Sequence, residues 1–170
     1  MAAVDVIDEY ISSLPGTTRR LGHAEWGITV APEAAAGYAL DVGVRVTDGL
    51  LRAQAFALPA RSGLDPWVLL HWNRQTRFVR IACARSGDIW VHGDLPVAAV
   101  DARSVDRLLG LVVEGAVIVR NYATFVDAGE AAGDVAERPN SAAPQRRCGC
   151  ARSRMTLRLR LVTLISTLPL

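Results

Sequence analysis

The chain has 170 residues, of which 51% are apolar and 21% are charged, and its formal net charge at pH 7 is +2. This length allows one domain with a hydrophobic core, and the apolar share excludes a chain that is disordered throughout. All nineteen basic residues are arginine, with twelve arginines against fourteen acids up to residue 127 and seven against three after it. The mildly acidic body lacks the basic surplus that phosphate binding needs, so we expect no nucleic-acid partner.

The first part of the chain predicts a helix followed by an antiparallel meander. Apolar residues three and four apart indicate a short amphipathic helix that Pro15 ends. Alternation of apolar and polar residues then indicates strands with one buried face. Asp48 and Gly49 predict the tight turn between the last two strands, because both tolerate positive φ. The predicted elements are a helix over residues 4–14 and strands over 20–31, 38–46 and 51–58.

The next part predicts a capped helix, a hairpin and a final helix. Asp65 is suited to cap a helix whose first position is Pro66, since proline lacks the N–H that is unpaired there. A broad apolar stripe at helical spacing follows Asp101 and Ser104, either of which can cap it. The predicted elements are a helix over 66–75, strands over 78–84 and 89–92, and a helix from 101 or 104 to about 122–126.

The order α-β-β-β-α-β-β-α predicts an α+β fold: an antiparallel sheet of about five strands with helices on one face. We expect one domain over residues 1–127 and a C-terminal tail over 128–170, disordered to 154 and apolar from Met155. The uninterrupted apolar part begins at Leu161 and is about half the length that spans a bilayer. The acidic start of the chain is unlike a signal peptide, so we expect a cytoplasmic protein.

The segment from Trp67 to Gly115 combines several short motifs in a fixed order. They are the helix end Trp72-Asn73, the strand Phe78-Val79-Arg80, the hairpin Gly87-Asp88-Ile89-Trp90, the exit Asp94-Leu95-Pro96 and the helix segment Asp106-Arg107-Leu108-Leu109. With these motifs the chain resembles the YbjN-like domains that are grouped with type III secretion chaperones, over residues 1–127 but not over the tail. The resemblance implies a chaperone-like fold that holds a protein or peptide, often as a homodimer, without catalysis. The arginine-only basic set is typical of GC-rich coding DNA, as in actinobacteria.

Two kinds of surface could bind the partner. Trp67 and Trp72 lie five residues apart on a helix, off a single face, so at least one can be exposed as an interface anchor. An exposed sheet edge could also accept an extended peptide as an added strand. The residues predicted for the partner or dimer interface are Trp67, Leu70, Trp72, Asn73, Phe78, Trp90 and Leu109.

The alternatives are an enzyme and a tail with a function of its own. His92 and Asp94 face the same way if they lie on a strand, but no nucleophile motif, phosphate loop or metal-ligand cluster accompanies them. We therefore predict no catalytic residue, no cofactor and no metal. The tail could sense redox state through Cys148 and Cys150, attach to an anionic membrane surface, or be the product of a shifted reading frame.

Overall fold

The computed structural model describes residues 2–60 and 64–136. The expected tail functions and the cysteines at 148 and 150 lie outside these residues. The helices are α1 (Ala3–Ser13), α2 (Pro66–Gln75) and α3 (Ala102–Ala136), with single 3-10 turns at Pro32–Ala34 and Val97–Ala99. The strands are β1 (Thr17–Gly22), β2 (Glu25–Val30), β3 (Leu40–Thr47), β4 (Leu50–Leu58), β5 (Val79–Cys83) and β6 (Ile89–Pro96).

The strands form one six-stranded antiparallel sheet in the order β1-β2-β3-β4-β6-β5. The predicted α+β fold is confirmed, with one more strand than expected. The segment 20–31 is not a single strand, because the chain reverses between β1 and β2. Ala24 in this turn has φ of 56°. Few residues other than glycine, asparagine and aspartate adopt that conformation, so the sequence carries no ordinary turn signal there. At the β3–β4 turn, Asp48 and Gly49 both have positive φ, as predicted.

One face of the sheet is covered by helix, and α3 makes most of that contact, against β4, β6 and β5. Alternate strand residues are therefore buried, among them Val42, Ala53 and Val91. A Cβ built on Gly93 of β6 would lie 2.7 Å from Leu108 Cδ1 of α3, so the absence of a side chain at this glycine permits the close approach of helix and sheet. Helix α2 contacts only the edge strand β5 extensively, and α1 packs against α3.

Helix α3 continues to Ala136, beyond both its expected end and the boundary placed at residue 127. The extension is rich in alanine, which has the highest intrinsic helix propensity. The part from Ala102 to Ala128 has the length and apolarity of a membrane span, a test that the core helix of a soluble protein also passes. Its buried residues pack on the sheet, as Val105, Val112 and Val119 do.

Candidate functional site

Three of the predicted interface residues are exposed. Trp67 is 76% exposed and Leu70 is 56% exposed, both on α2, while Phe78, just before β5, is 41% exposed. Residues three apart are neighbours on a helix surface, so Trp67 and Leu70 form one apolar patch. Asp65 accepts a hydrogen bond from the Trp67 N–H at 2.8 Å, and the helix starts there as predicted.

The other four predicted interface residues have packing or hydrogen-bond partners within the chain. Trp72 packs edge-to-face on Tyr122 of α3, with ring centroids 5.2 Å apart. Trp90 lies on the opposite face of the sheet, where it packs edge-to-face on Phe56 at 5.3 Å. Leu109 is 7% exposed and belongs to the hydrophobic core. The structure therefore does not bring the seven residues together, and only the α2 patch unites two of them on an exposed surface.

The edge of the sheet at β5 is occupied by side chains of α2 and the residue that follows it. The Asn73 side chain donates to the Ile81 carbonyl at 2.8 Å and accepts from the Ile81 N–H at 2.7 Å, as a neighbouring strand would. The Thr76 hydroxyl donates to the Val79 carbonyl at 2.7 Å. These bonds satisfy backbone groups that an edge strand otherwise leaves exposed.

The hydrogen bonds of Asn73 also fix the direction of the backbone groups at the other edge of the sheet. In an antiparallel ladder, residues alternate between pairs that exchange hydrogen bonds and pairs that do not. Because the N–H and C=O of Ile81 point away from β6, Ile81 and Val91 form a pair without hydrogen bonds. Along the row of aligned residues, pairs with and without hydrogen bonds alternate from one strand to the next. The last pair, Ile28 with Thr18, is therefore also without hydrogen bonds, and the N–H and C=O of Thr18 point away from β2. The aligned row is Ile81, Val91, Ala55, Val42, Ile28 and Thr18. The bond from the Val46 N–H to the Ala24 carbonyl at 3.0 Å agrees with this pattern.

Strand β1 is the open edge of the described sheet. Five of its six residues are exposed. In residues 2–60 and 64–136 no strand pairs with its outer side. Since residues two apart point the same way, Arg20 also directs its N–H and C=O outward. The resulting surface is a short row of backbone donors and acceptors at Thr18 and Arg20.

Helix α1 is bonded to this edge through Asp8 and to α3 through Tyr10. Asp8 accepts from the Trp26 indole N–H at 2.6 Å and from Arg20 Nη1 at 2.7 Å, which joins α1 to β1 and β2. The Tyr10 hydroxyl donates to the Asp106 carboxylate of α3. Burial and this carboxylate raise the pKa of Tyr10 to about 12. The Tyr10 phenol therefore stays protonated at neutral pH and keeps its hydrogen bond to Asp106. Strand β1 is bonded to α1 through Arg20, while its outer edge stays exposed.

His92 and Asp94, which the sequence offered as a possible acid–base pair, both lie on β6. The Asp94 carboxylate accepts two hydrogen bonds from Arg52, at 2.6 and 3.0 Å. The hydrogen bond from Arg52 holds the pKa of Asp94 below its usual value, so the carboxylate is a poor proton acceptor at neutral pH. Within the described ranges no three His, Cys, Asp or Glu residues lie close enough together to hold a metal ion.

A family model described as "YbjN: Putative bacterial sensory transduction regulator" matches residues 43–121, from β3 into α3. Residues 43–121 are therefore similar to the YbjN family. No curated protein matches the sequence. The matched residues include β4, α2, β5 and β6, and therefore the β5 edge that Asn73 occupies. They begin after β1 and β2, so the open edge lies outside the match.

Solved structures share the fold of this chain at low sequence identity. YbjN from E. coli, described as a putative transcription regulator, has a TM-score of 0.54 and 14% identity over 71% of this chain and 90% of that chain. A chain of the HopA1–SchA chaperone–effector complex has a TM-score of 0.55 and 11% identity over 69% of this chain and 91% of that chain. The Yersinia pestis type III secretion chaperone SycH, in complex with a fragment of YscM2, has a TM-score of 0.50 and 16% identity over 69% and 98%.

The sequence did not reveal which edge is open or what Asn73 does. Asn73 was predicted to face a partner, whereas its amide binds β5. The sequence placed Asn73 at the end of α2, next to Trp72. Its contact with Ile81 depends on how α2 lies along β5, which the sequence does not show. Thr18 was missed because β1 was not recognised as a separate strand.

Proposed function

We propose that the YbjN-like domain is a non-catalytic, chaperone-like or regulatory module that holds an extended segment of a partner protein as an added strand on β1. The observation that carries this proposal is the difference between the two edges. At β5, Asn73 already takes both backbone groups of Ile81. At β1, the groups of Thr18 and Arg20 point outward with no strand beside them in the described part of the chain.

Strand addition suits a protein that binds an extended segment. Main-chain hydrogen bonds supply affinity for any sequence, and alternate side chains supply selectivity. Two of the structures that contain this fold are described as complexes of a chaperone with a protein partner: SycH with a fragment of YscM2, and the HopA1–SchA chaperone–effector complex. A single strand edge held by α1 gives the YbjN-like domain a place for the same kind of ligand. The partner is therefore expected to contribute an extended segment of several residues.

The test is a substitution that removes the outward N–H at Thr18. Proline is tolerated in edge strands where the N–H does not serve the ladder, so Thr18→Pro should fold normally. Loss of one hydrogen bond together with the bulk of the ring should weaken partner binding about tenfold or more. The full chain is used as bait in a lysate of its own organism, and the affinity of the captured protein is then measured with each variant.

The matched control is Thr18→Val, which keeps the N–H and changes the side chain. The proposal predicts one stoichiometric partner that is retained by the wild type and by Thr18→Val but lost with Thr18→Pro. If Thr18→Pro has the thermal stability of the wild type and binds the partner equally well, β1 is not the binding edge.

We also propose that two copies associate through the α2 patch of Trp67 and Leu70. Large exposed apolar side chains on one helix face mark a protein interface, and tryptophan is enriched among the residues that carry binding energy. Light scattering of the full chain should give twice the chain mass, and Trp67→Ser combined with Leu70→Ser should give the single mass. Phe125→Ser is the control, since Phe125 is 65% exposed on α3 and lies outside the patch. A monomeric wild type would contradict this interface.

A further inference from the structure

A concavity lies between the start of β5, the end of β6 and the first turns of α3. Its volume is about 200 Å³. Pockets for drug-sized molecules measure about 300–1,000 Å³, so this cleft fits a single large side chain better than a free ligand. Its lining residues are Phe78, Leu95, Asp101, Arg103, Ser104, Arg107 and Leu108.

The lining has an apolar side. Leu108 is 2% exposed, so it offers only a small part of its surface to the cleft, while Phe78 is 41% exposed. The Arg107 guanidinium lies over the Phe78 ring, 4.9 Å from the ring centroid. This contact holds an arginine beside the apolar wall and keeps its charge next to the cleft.

The rim of the cleft carries unbalanced positive charge. Arg103 and Arg107 are exposed, and neither forms an ion pair with a carboxylate among the described residues. Asp101 is the one acid of the lining, and it accepts a hydrogen bond from the Ser104 N–H at 2.6 Å as the cap of α3. That bond and, to a smaller extent, the nearby charge of Arg103 keep the pKa of Asp101 below its usual value. The lining therefore has two cations against one anion, and that anion is shared between Ser104 and Arg103.

We propose that this cleft binds a protein segment in which a large apolar side chain is flanked by acidic residues. The apolar side chain lies against Phe78 and Leu108, and the carboxylates lie on Arg103 and Arg107. The cleft adjoins β5, whereas the proposed strand-binding edge is β1, at the other end of the sheet. At about 4.8 Å per strand spacing the two sites are about 24 Å apart, so each can fail without the other.

The experiment is a ¹H–¹⁵N NMR titration of the full chain with the peptide acetyl-Gly-Glu-Leu-Glu-Gly-amide. Saturable shifts are expected at the amides of Leu95, Ser104 and Arg107. Peptides with lysine in place of glutamate, or with serine in place of leucine, should bind at least fivefold more weakly. Raising the salt from 0.15 to 1 M should also weaken binding, because exposed charges are screened.

Two sets of variants distinguish binding of the peptide in the cleft from nonspecific attraction between its carboxylates and the arginines of the surface. Arg103→Ala with Arg107→Ala should weaken binding at least fivefold, and Arg85→Ala, an exposed arginine of the β5–β6 hairpin, should leave it unchanged. Phe78→Ser keeps both arginines and should weaken binding at least threefold. Equal binding of the lysine peptide, or unchanged binding in the double arginine variant or in Phe78→Ser, would overturn the proposal. Shifts at Thr18 and Arg20 instead would place the peptide on β1 and would also overturn it.

Discussion

Arg120 of α3 is a buried cation that is held by backbone carbonyls instead of a carboxylate. It is 4% exposed and donates to the carbonyls of Ala57, Ala35 and Tyr38 at 3.1, 2.7 and 2.8 Å. The guanidinium also lies 4.2 Å from the centroid of the Tyr38 ring. Burial lowers the pKa of Arg120, but arginine stays protonated in proteins. This side chain therefore joins α3 to β4 and to the segment that leads into β3.

Replacement of Arg120 should cost more than most surface substitutions. Arg120→Met leaves the buried carbonyls of Ala35 and Ala57 without donors. Each such group costs about 1–3 kcal/mol, so we expect the free energy of unfolding to fall by about 3 kcal/mol. Arg120→Lys keeps one charged donor group, so its free energy of unfolding should lie between those of the wild type and Arg120→Met. Urea unfolding measures the difference. A stability of Arg120→Met equal to that of the wild type would show that the carbonyls find water or other donors.

Helix α2 protects the edge strand β5 by placing the Asn73 side chain against it. The helix lies along β5, and Asn73 replaces the strand that β5 lacks on its outer side. The same helix presents Trp67 and Leu70 on its outer side. One short helix therefore closes an edge on one side and provides the apolar surface of the proposed dimer on the other.

The prediction for α2 concerns the Ile81 amide. Asn73→Leu removes both hydrogen bonds to Ile81, so the free energy of unfolding should fall by about 1–2 kcal/mol and the Ile81 amide should exchange faster with solvent. The exposed edge should also promote association between copies. Asn73→Asp is the comparison variant, because it keeps the acceptor for the Ile81 N–H but replaces the donor with a carboxylate oxygen that repels the Ile81 carbonyl. Unchanged exchange at Ile81 in Asn73→Leu would contradict the role of Asn73 at this edge.

For the whole molecule, local signals in the sequence predicted most helices and strands. The open edge of the sheet, in contrast, is determined by contacts between residues far apart in the chain. The α2 start at Asp65 and Pro66 and the turn at Asp48 and Gly49 need only neighbouring residues, and both were predicted. The β1–β2 turn was missed because Ala24 adopts positive φ without being glycine. Which edge is open depends on Asn73 reaching Ile81 across a loop and on the register of five strand pairs. No local pattern contains that information.

Hydrogen exchange of the β1 amides, with and without the captured partner, tests the central claim most directly. In the free chain, the Arg19 amide should be protected by β2, and the amides of Thr18 and Arg20 should exchange quickly because they point outward. In the complex, Thr18 and Arg20 should become protected, while Ile81, already bonded to Asn73, should not change. Protection that appears at β5 and not at Thr18 and Arg20 would contradict strand addition at β1.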